Sequence, residues 1–153
     1  MNKKLIFLLV LICIAIFSLS TVNAIWPFGG GSDIMVNDVK FHIPDGFEEI
    51  TSGHEITKSK EKVTYQNDKK EKLTITVVNN NAGYKNVKEM NWGADRAVMV
   101  EKTISGKDGL ASYRYTPLVF YTYIDNDKLV MIDCPFVFDD ATKYEDFLEK
   151  VIV

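Results

Sequence analysis

Residues 113–135 read YRYTPLVFYTYIDNDKLVMIDCP, two apolar runs joined by Asp125-Asn126-Asp127-Lys128. Both runs are rich in Val, Ile, Tyr and Phe, whose branched or planar side chains suit a pleated surface, and Asp and Asn tolerate the backbone angles of a tight turn. The pattern predicts a hairpin. With Asn126-Asp127 as a two-residue turn, Ile124 faces Leu129, Thr122 faces Met131 and Phe120 faces Asp133; on the other side Tyr123 faces Val130 and Tyr121 faces Ile132. Both sets are largely apolar, whereas a strand wet on one face alternates apolar with polar residues. The hairpin is therefore expected at the centre of a sheet, covered on both faces by helices or loops.

The same patterning places the other elements. Residues 39–43 alternate, and Pro44-Asp45-Gly46 then breaks the strand before Phe47 turns inward. A second hairpin is predicted over residues 62–66 and 72–78. Val63, Tyr65, Leu73, Ile75 and Val77 lie on its buried phase, and Thr64, Thr74 and Thr76 on the other, which suits a place toward the sheet edge. A third pairs residues 99–105 with 110–115 about Gly106-Lys107-Asp108-Gly109. Asn86 with Glu89 has capping-box spacing, and Val87, Met90, Ala94, Ala97 and Val98 recur at helical period, so a short helix is expected there despite Gly93. Asp139, Asp140 and Thr142, the last paired with Glu145, mark the start of a C-terminal helix whose Tyr144, Phe147, Leu148, Val151 and Ile152 form an apolar stripe.

The N-terminus changes the picture from domain to exported domain. Lys3 and Lys4, the apolar run of residues 5–17 and Val22-Asn23-Ala24 have the form of an export signal cleaved after Ala24; the alternative is an uncleaved anchor crossing the membrane through residues 5–22. Either way the rest of the chain is expected outside the cytoplasm, secreted or tethered to the outer face of the membrane. Residues 25–35 (IWPFGGGSDIM) read as a Gly-rich linker bearing the aromatics Trp26 and Phe28, and residues 36–153 as a single α+β domain. Loss of residues 1–24 leaves 16 basic against 21 acidic residues, a formal charge of −5, which offers no basic patch for nucleic acid. Of the two cysteines only Cys134 lies beyond the leader, so packing, not an internal disulfide, has to hold the domain.

Candidate chemistry is sparse. Cys134, Asp133 and a distant His42 or His54 can be drawn as nucleophile, orienter and base, but Cys134 sits at a strand end before Pro135, where a thiol packs as a small hydrophobe. Gly106-Lys107 lacks the earlier glycine and the following Ser or Thr of a phosphate loop: Glu101 and Asp108 occupy those places. Asp125, Asn126 and Asp127 lack the alternation, central Gly and closing Glu of a calcium loop. No catalytic residue, metal ligand or cofactor motif is assigned, and the binding residues are left open. The most suggestive cluster is Tyr113, Tyr115, Tyr121 and Tyr123, which on adjacent strands can hold a sugar or a protein partner or simply fill a core.

The order of strand, hairpin, helix, meandering strands and closing helix, headed by Phe41-His42-Ile43-Pro44-Asp45-Gly46-Phe47, resembles PsbP-like proteins and is similar to small exported proteins of methanogenic archaea. The resemblance implies an α/β/α sandwich: an antiparallel sheet of about six or seven strands between helices. No functional residue carries over with it, since a shared fold does not fix a function. The reading expected from export, small size and missing catalytic groups is a non-catalytic extracytoplasmic binding module whose partner is a protein or cell-surface component. A tethered structural envelope protein, and an enzyme whose site is scattered in sequence, stand as alternatives.

Overall fold

In the computed structural model, residues 31–93, 99–112, 120–135 and 141–153 are described. Ten strands and one α-helix are found among them. Strands β1 (Gly31–Val36) and β2 (Val39–Pro44) form a separate two-stranded hairpin. The other eight are β3 (Glu48–Glu49), β4 (Glu55–Ile56), β5 (Lys60–Gln66), β6 (Lys72–Asn79), β7 (Val100–Ile104), β8 (Lys107–Ser112), β9 (Phe120–Asp125) and β10 (Lys128–Asp133). They build one antiparallel sheet in the order β3-β5-β6-β10-β9-β8-β7, with β4 also on β5, and the helix α1 (Ala141–Val151) ends the chain.

The central hairpin has the register its pattern predicts: Ile124 pairs Leu129, Tyr123 pairs Val130, Thr122 pairs Met131, Tyr121 pairs Ile132 and Phe120 pairs Asp133. Asn126 and Asp127 have φ of 45° and 60°, the left-handed pair that matches a tight turn to strand twist. Asn37-Asp38 (44°, 68°) and Ser105-Gly106 (48°, 73°) repeat the device in the β1–β2 and β7–β8 hairpins. The second predicted hairpin is β5–β6; β5 lies beside the short edge strands, whereas β6 pairs directly with β10.

One face of the sheet carries the main core. Leu73, Ile75, Val77, Tyr121, Tyr123, Val130 and Ile132 are buried there beneath Phe41 and Ile43 of β2 and Tyr144, Leu148 and Val151 of α1. Phe41 also bridges to Ile152 just beyond the helix. The second face holds a smaller cluster, in which Val87, Met90 and Trp92 pack with Leu110, Phe120, Ile124 and Leu129.

This architecture corrects the expected α/β/α sandwich. The protein is mostly antiparallel sheet; among the described residues α1 is the one α-helix, and the β1–β2 hairpin joins it in covering the main core. The segment expected to be a helix from Asn86 is a single 3₁₀ turn, Val87–Glu89, followed by extended Met90. Asn86 does cap it, accepting from the Lys88 amide, and the Glu89 carboxylate takes the Lys85 amide and the Asn86 side chain. The Val87 carbonyl, however, accepts the Trp92 indole N–H at 2.7 Å, and Gly93 has a φ of 56°; both divert the chain from a continued helix. Ala94, Ala97 and Val98 lie outside the described residues.

Three boundaries also differ. β1 begins at Gly31, inside the stretch read as linker, because β2 supplies it with a full set of cross-strand partners. The β7–β8 turn is Ser105-Gly106, so Lys107 and Gly109 are strand residues. Thr142 lies within α1 and is not its cap; Asp139 and Asp140 lie outside the described residues, as do the leader or anchor of residues 1–24 and the aromatics Trp26 and Phe28.

Candidate functional site

The tyrosine cluster divides. Tyr113 and Tyr115 lie outside the described residues, whereas Tyr121 and Tyr123 point into the main core at 0% and 1% exposure with ring centroids 5.6 Å apart. Burial pushes the Tyr121 hydroxyl up to about 12, and it donates to the Lys107 carbonyl at 2.5 Å; the Lys102 carbonyl is 3.2 Å away. The Tyr123 hydroxyl is raised by burial as well. Neither ring is available as a platform for a ligand. Tyr121→Phe is expected to cost about 1.5 kcal/mol, because it removes a buried hydroxyl's hydrogen bond to a strand carbonyl; urea unfolding at unchanged m-value measures it.

The nucleophile reading also comes apart in space. Cys134 is fully buried, and burial first, then the Asp133 charge, drive its thiol up, away from the reactive thiolate. His42 Nδ1 is 2.8 Å from Asp33 Oδ1, on the β1–β2 hairpin, and Lys40 Nζ is 2.7 Å from the other Asp33 oxygen. His54 is held by Glu49 and Glu61. Neither histidine is in contact with Cys134. Asp125 pairs with Lys107 at 3.0 Å and the Asp127 carbonyl accepts from the Asn80 amide, so the acidic turn is tied into the structure. Among the described residues no group of three or more His, Cys, Asp or Glu is placed to hold a metal ion.

What the sheet does assemble is a mixed patch on its second face. Strand pairing sets Thr64 beside Thr74 and Thr74 beside Asp133; in the next row Lys62 is beside Thr76, and Thr76 beside Met131. Lys62, Thr74, Met131 and Asp133 are partly exposed, while Thr64 and Thr76 are nearly covered at 8%. Thr64 and Thr74 share a hydrogen bond at 3.1 Å between hydroxyls. Burial raises the Asp133 carboxyl, and the Lys62 charge partly offsets that. A partly desolvated carboxylate, an ammonium, a row of hydroxyls and a thioether thus stand on three adjacent strands whose backbones are fixed by ladder bonds. The phase of the threonines is legible in the sequence; their meeting with Met131 and Asp133 is not, because it needs β10 as a neighbour of β6.

A second polar cluster lies at the edge. His54 has Glu49 Oε1 3.0 Å from Nδ1 and Glu61 Oε1 3.0 Å from Nε2, and the other Glu61 oxygen accepts the Asn37 amide at 2.5 Å. The Asn37 side chain bonds Asn79 Oδ1, and Lys128 Nζ donates to both asparagines. Nearby, a shallow polar depression of about 350 Å³ is lined by Glu48, Glu49, Gln66, Asp68 and Lys70.

Comparisons with protein-family models, with curated proteins and with solved structures each return no match to this chain. The PsbP-like resemblance is left with residues 41–47, since the order of elements invoked with it includes a helix from Asn86 where the structure has the 3₁₀ turn Val87–Glu89.

Proposed function

We propose that the chain is an exported, non-catalytic binding module that takes a protein partner on the second face of its sheet. The carrying observation is the patch formed by the Thr74–Asp133 and Thr76–Met131 pairs with Lys62 beside them. A sheet presents such side chains with little further ordering to be done on association, and a thioether flanked by charges suits a surface with an apolar centre and a polar rim. Support against a catalytic reading comes from the groups that catalysis would need. Cys134 is sealed in the core, and both histidines are engaged with carboxylates. Export is carried by residues 1–24 of the sequence; among the described residues no helix is long and apolar enough to cross a membrane.

A photo-crosslinking residue placed at Thr74 or Met131 in the exported protein tests the reading, with one at Asp68 on the β5–β6 loop as reference. Discrete adducts are expected from positions 74 and 131 and none from 68. Met131→Arg is expected to weaken partner binding about tenfold or more, the scale of losing one central contact, with the thermal midpoint little changed. Adducts no stronger at 74 and 131 than at 68, or binding unaffected by Met131→Arg, would overturn it.

A further inference from the structure

Residues 48–56 run along β5 as an interrupted edge strand. Glu48 and Glu49 pair with Gln66 and Tyr65, Glu55 and Ile56 pair with Lys62 and Glu61, and the 3₁₀ turn Thr51–Gly53 bulges between them. Gly53 lies so close over Thr64 that an added Cβ would be 2.6 Å from that residue's own Cβ. The backbone ties in the bulge are few: the Ile50 amide to the Thr64 carbonyl and the Gly53 amide to the Ile50 carbonyl. Glu55 adds ion pairs to Lys60 and Lys62 of β5, and His54 ties the two halves of the segment in, its two ring nitrogens each meeting a carboxylate oxygen at 3.0 Å, one from β3 and one from β5.

An imidazole makes both of these bonds as a donor only when both nitrogens carry protons. The neutral ring has one N–H, so one carboxylate would then face a lone pair and two negative charges would be left around an uncharged group. We propose that His54 is a charge-dependent clamp: its imidazolium form holds residues 48–56 on β5 and keeps Glu61 aligned on the Asn37 amide of the β1–β2 turn, and its neutral form releases them. The inference stands independently of any partner on the second face, although release would also lift Gly53 from Thr64.

The charged surroundings agree. Glu49 faces His54 from β3 and Glu61 from β5, and Tyr65 stands near both carboxylates. Glu55 of β4 is turned away to Lys60 and Lys62. From the β1–β2 turn comes the Asn37 amide; Lys128 and Asp38 lie beyond it, with Lys128 bonded to Asn37 and Asn79. Among the described residues His54 is the one cation paired with Glu49 or Glu61. The Glu61 hydrogen bond, the largest cause, acts with the Glu49 hydrogen bond and both carboxylate charges; together they outweigh desolvation, the next largest, and raise the His54 ring above its ordinary value. A histidine raised on folding stabilises the folded form fully below its unfolded pKa of about 6.5 and loses that contribution as pH climbs through the higher folded value. The contribution is therefore lost, and the segment released, between pH about 6.5 and the raised folded value.

Hydrogen exchange of the full chain from pH 5 to 9, corrected for intrinsic rates, reads the clamp directly. Protection of residues 50–56 is expected to fall about tenfold or more across the His54 titration followed by NMR, while residues 72–79 of β6 hold theirs. His54→Gln, which keeps a donor but no titratable charge, is expected to be weakly protected at every pH, and Glu61→Gln to lower the His54 midpoint. Protection of residues 50–56 flat with pH, a pH step that survives in His54→Gln, or a His54 midpoint below 6.5 would each overturn the proposal.

Discussion

A chain ending at Asp140 unfolds without a cooperative transition. Removing residues 141–153 takes away α1 and with it Tyr144, Leu148, Val151 and Ile152, all at 0–2% exposure in the main core. Leu148, Val151 and Ile152 each contribute about 1.5–3 kcal/mol by burial, and their loss also uncovers Phe41, Ile43 and the sheet side chains beneath. The whole net stability of a domain of this size is about 5–15 kcal/mol, so the deletion consumes most or all of it. Differential scanning calorimetry and near-ultraviolet circular dichroism check the result: no heat-absorption peak and no fixed aromatic signal are expected, with strand signal retained in part. A truncated chain melting like the parent would show that the helix lies on the sheet without completing its core.

The C-terminal helix was legible because its signal is local: five apolar residues at helical spacing need only a surface to cover. The β9–β10 register was legible for the same reason, since apolar residues on both phases and a polar Asn-Asp turn admit one pairing. β1 was not. Its side chains are mostly exposed, and Gly31 and Ser32 read as the end of a tether; it is a strand only through β2. One signal was nevertheless present, since Asn37-Asp38 repeats the Asn-Asp pair that marked the central turn. The helix expected from Asn86 failed because caps and spacing are shared by a 3₁₀ turn and a full helix. What decided between them was the Trp92 indole taking the Val87 carbonyl, a contact that periodicity does not record. Both polar clusters escape a linear reading in the same way. Glu49, His54 and Glu61 meet only because β3 and β4 both pair with β5, and Lys62, Thr74, Met131 and Asp133 only because β6 joins two hairpins. Cys134 went the other way: its place before Pro135 was enough to read it as core, and its burial bears this out.

Gly109→Ala is expected to be the most damaging single-methyl change in the sheet, at roughly 3 kcal/mol, the upper part of the range for overpacking a filled core. The reason lies in how closely the Tyr121 ring and the β9 backbone approach β8 at this position. Gly109 pairs with Tyr123 on β9, and the Tyr121 ring passes over it so that its hydroxyl reaches the Lys107 carbonyl. A Cβ at Gly109 would collide with the Thr122 carbonyl oxygen and lie 2.6 Å from both Cζ and Oη of Tyr121. The oxygen is backbone and cannot swing away, so relief requires β8 to separate from β9 or the buried ring to abandon its hydrogen bond. Gly106 provides the control. It has a φ of 73° but nothing within 4 Å of a built Cβ, so Gly106→Ala is charged only with left-handed backbone, about 1–2 kcal/mol. Urea unfolding of the two variants separates the causes, and adding Tyr121→Phe to Gly109→Ala should then cost less than it does in the parent, because the hydrogen bond it removes is already strained. Equal losses at 106 and 109, with Tyr121→Phe fully additive, would place the requirement for glycine in backbone angle and not in the passage of Tyr121 across β8.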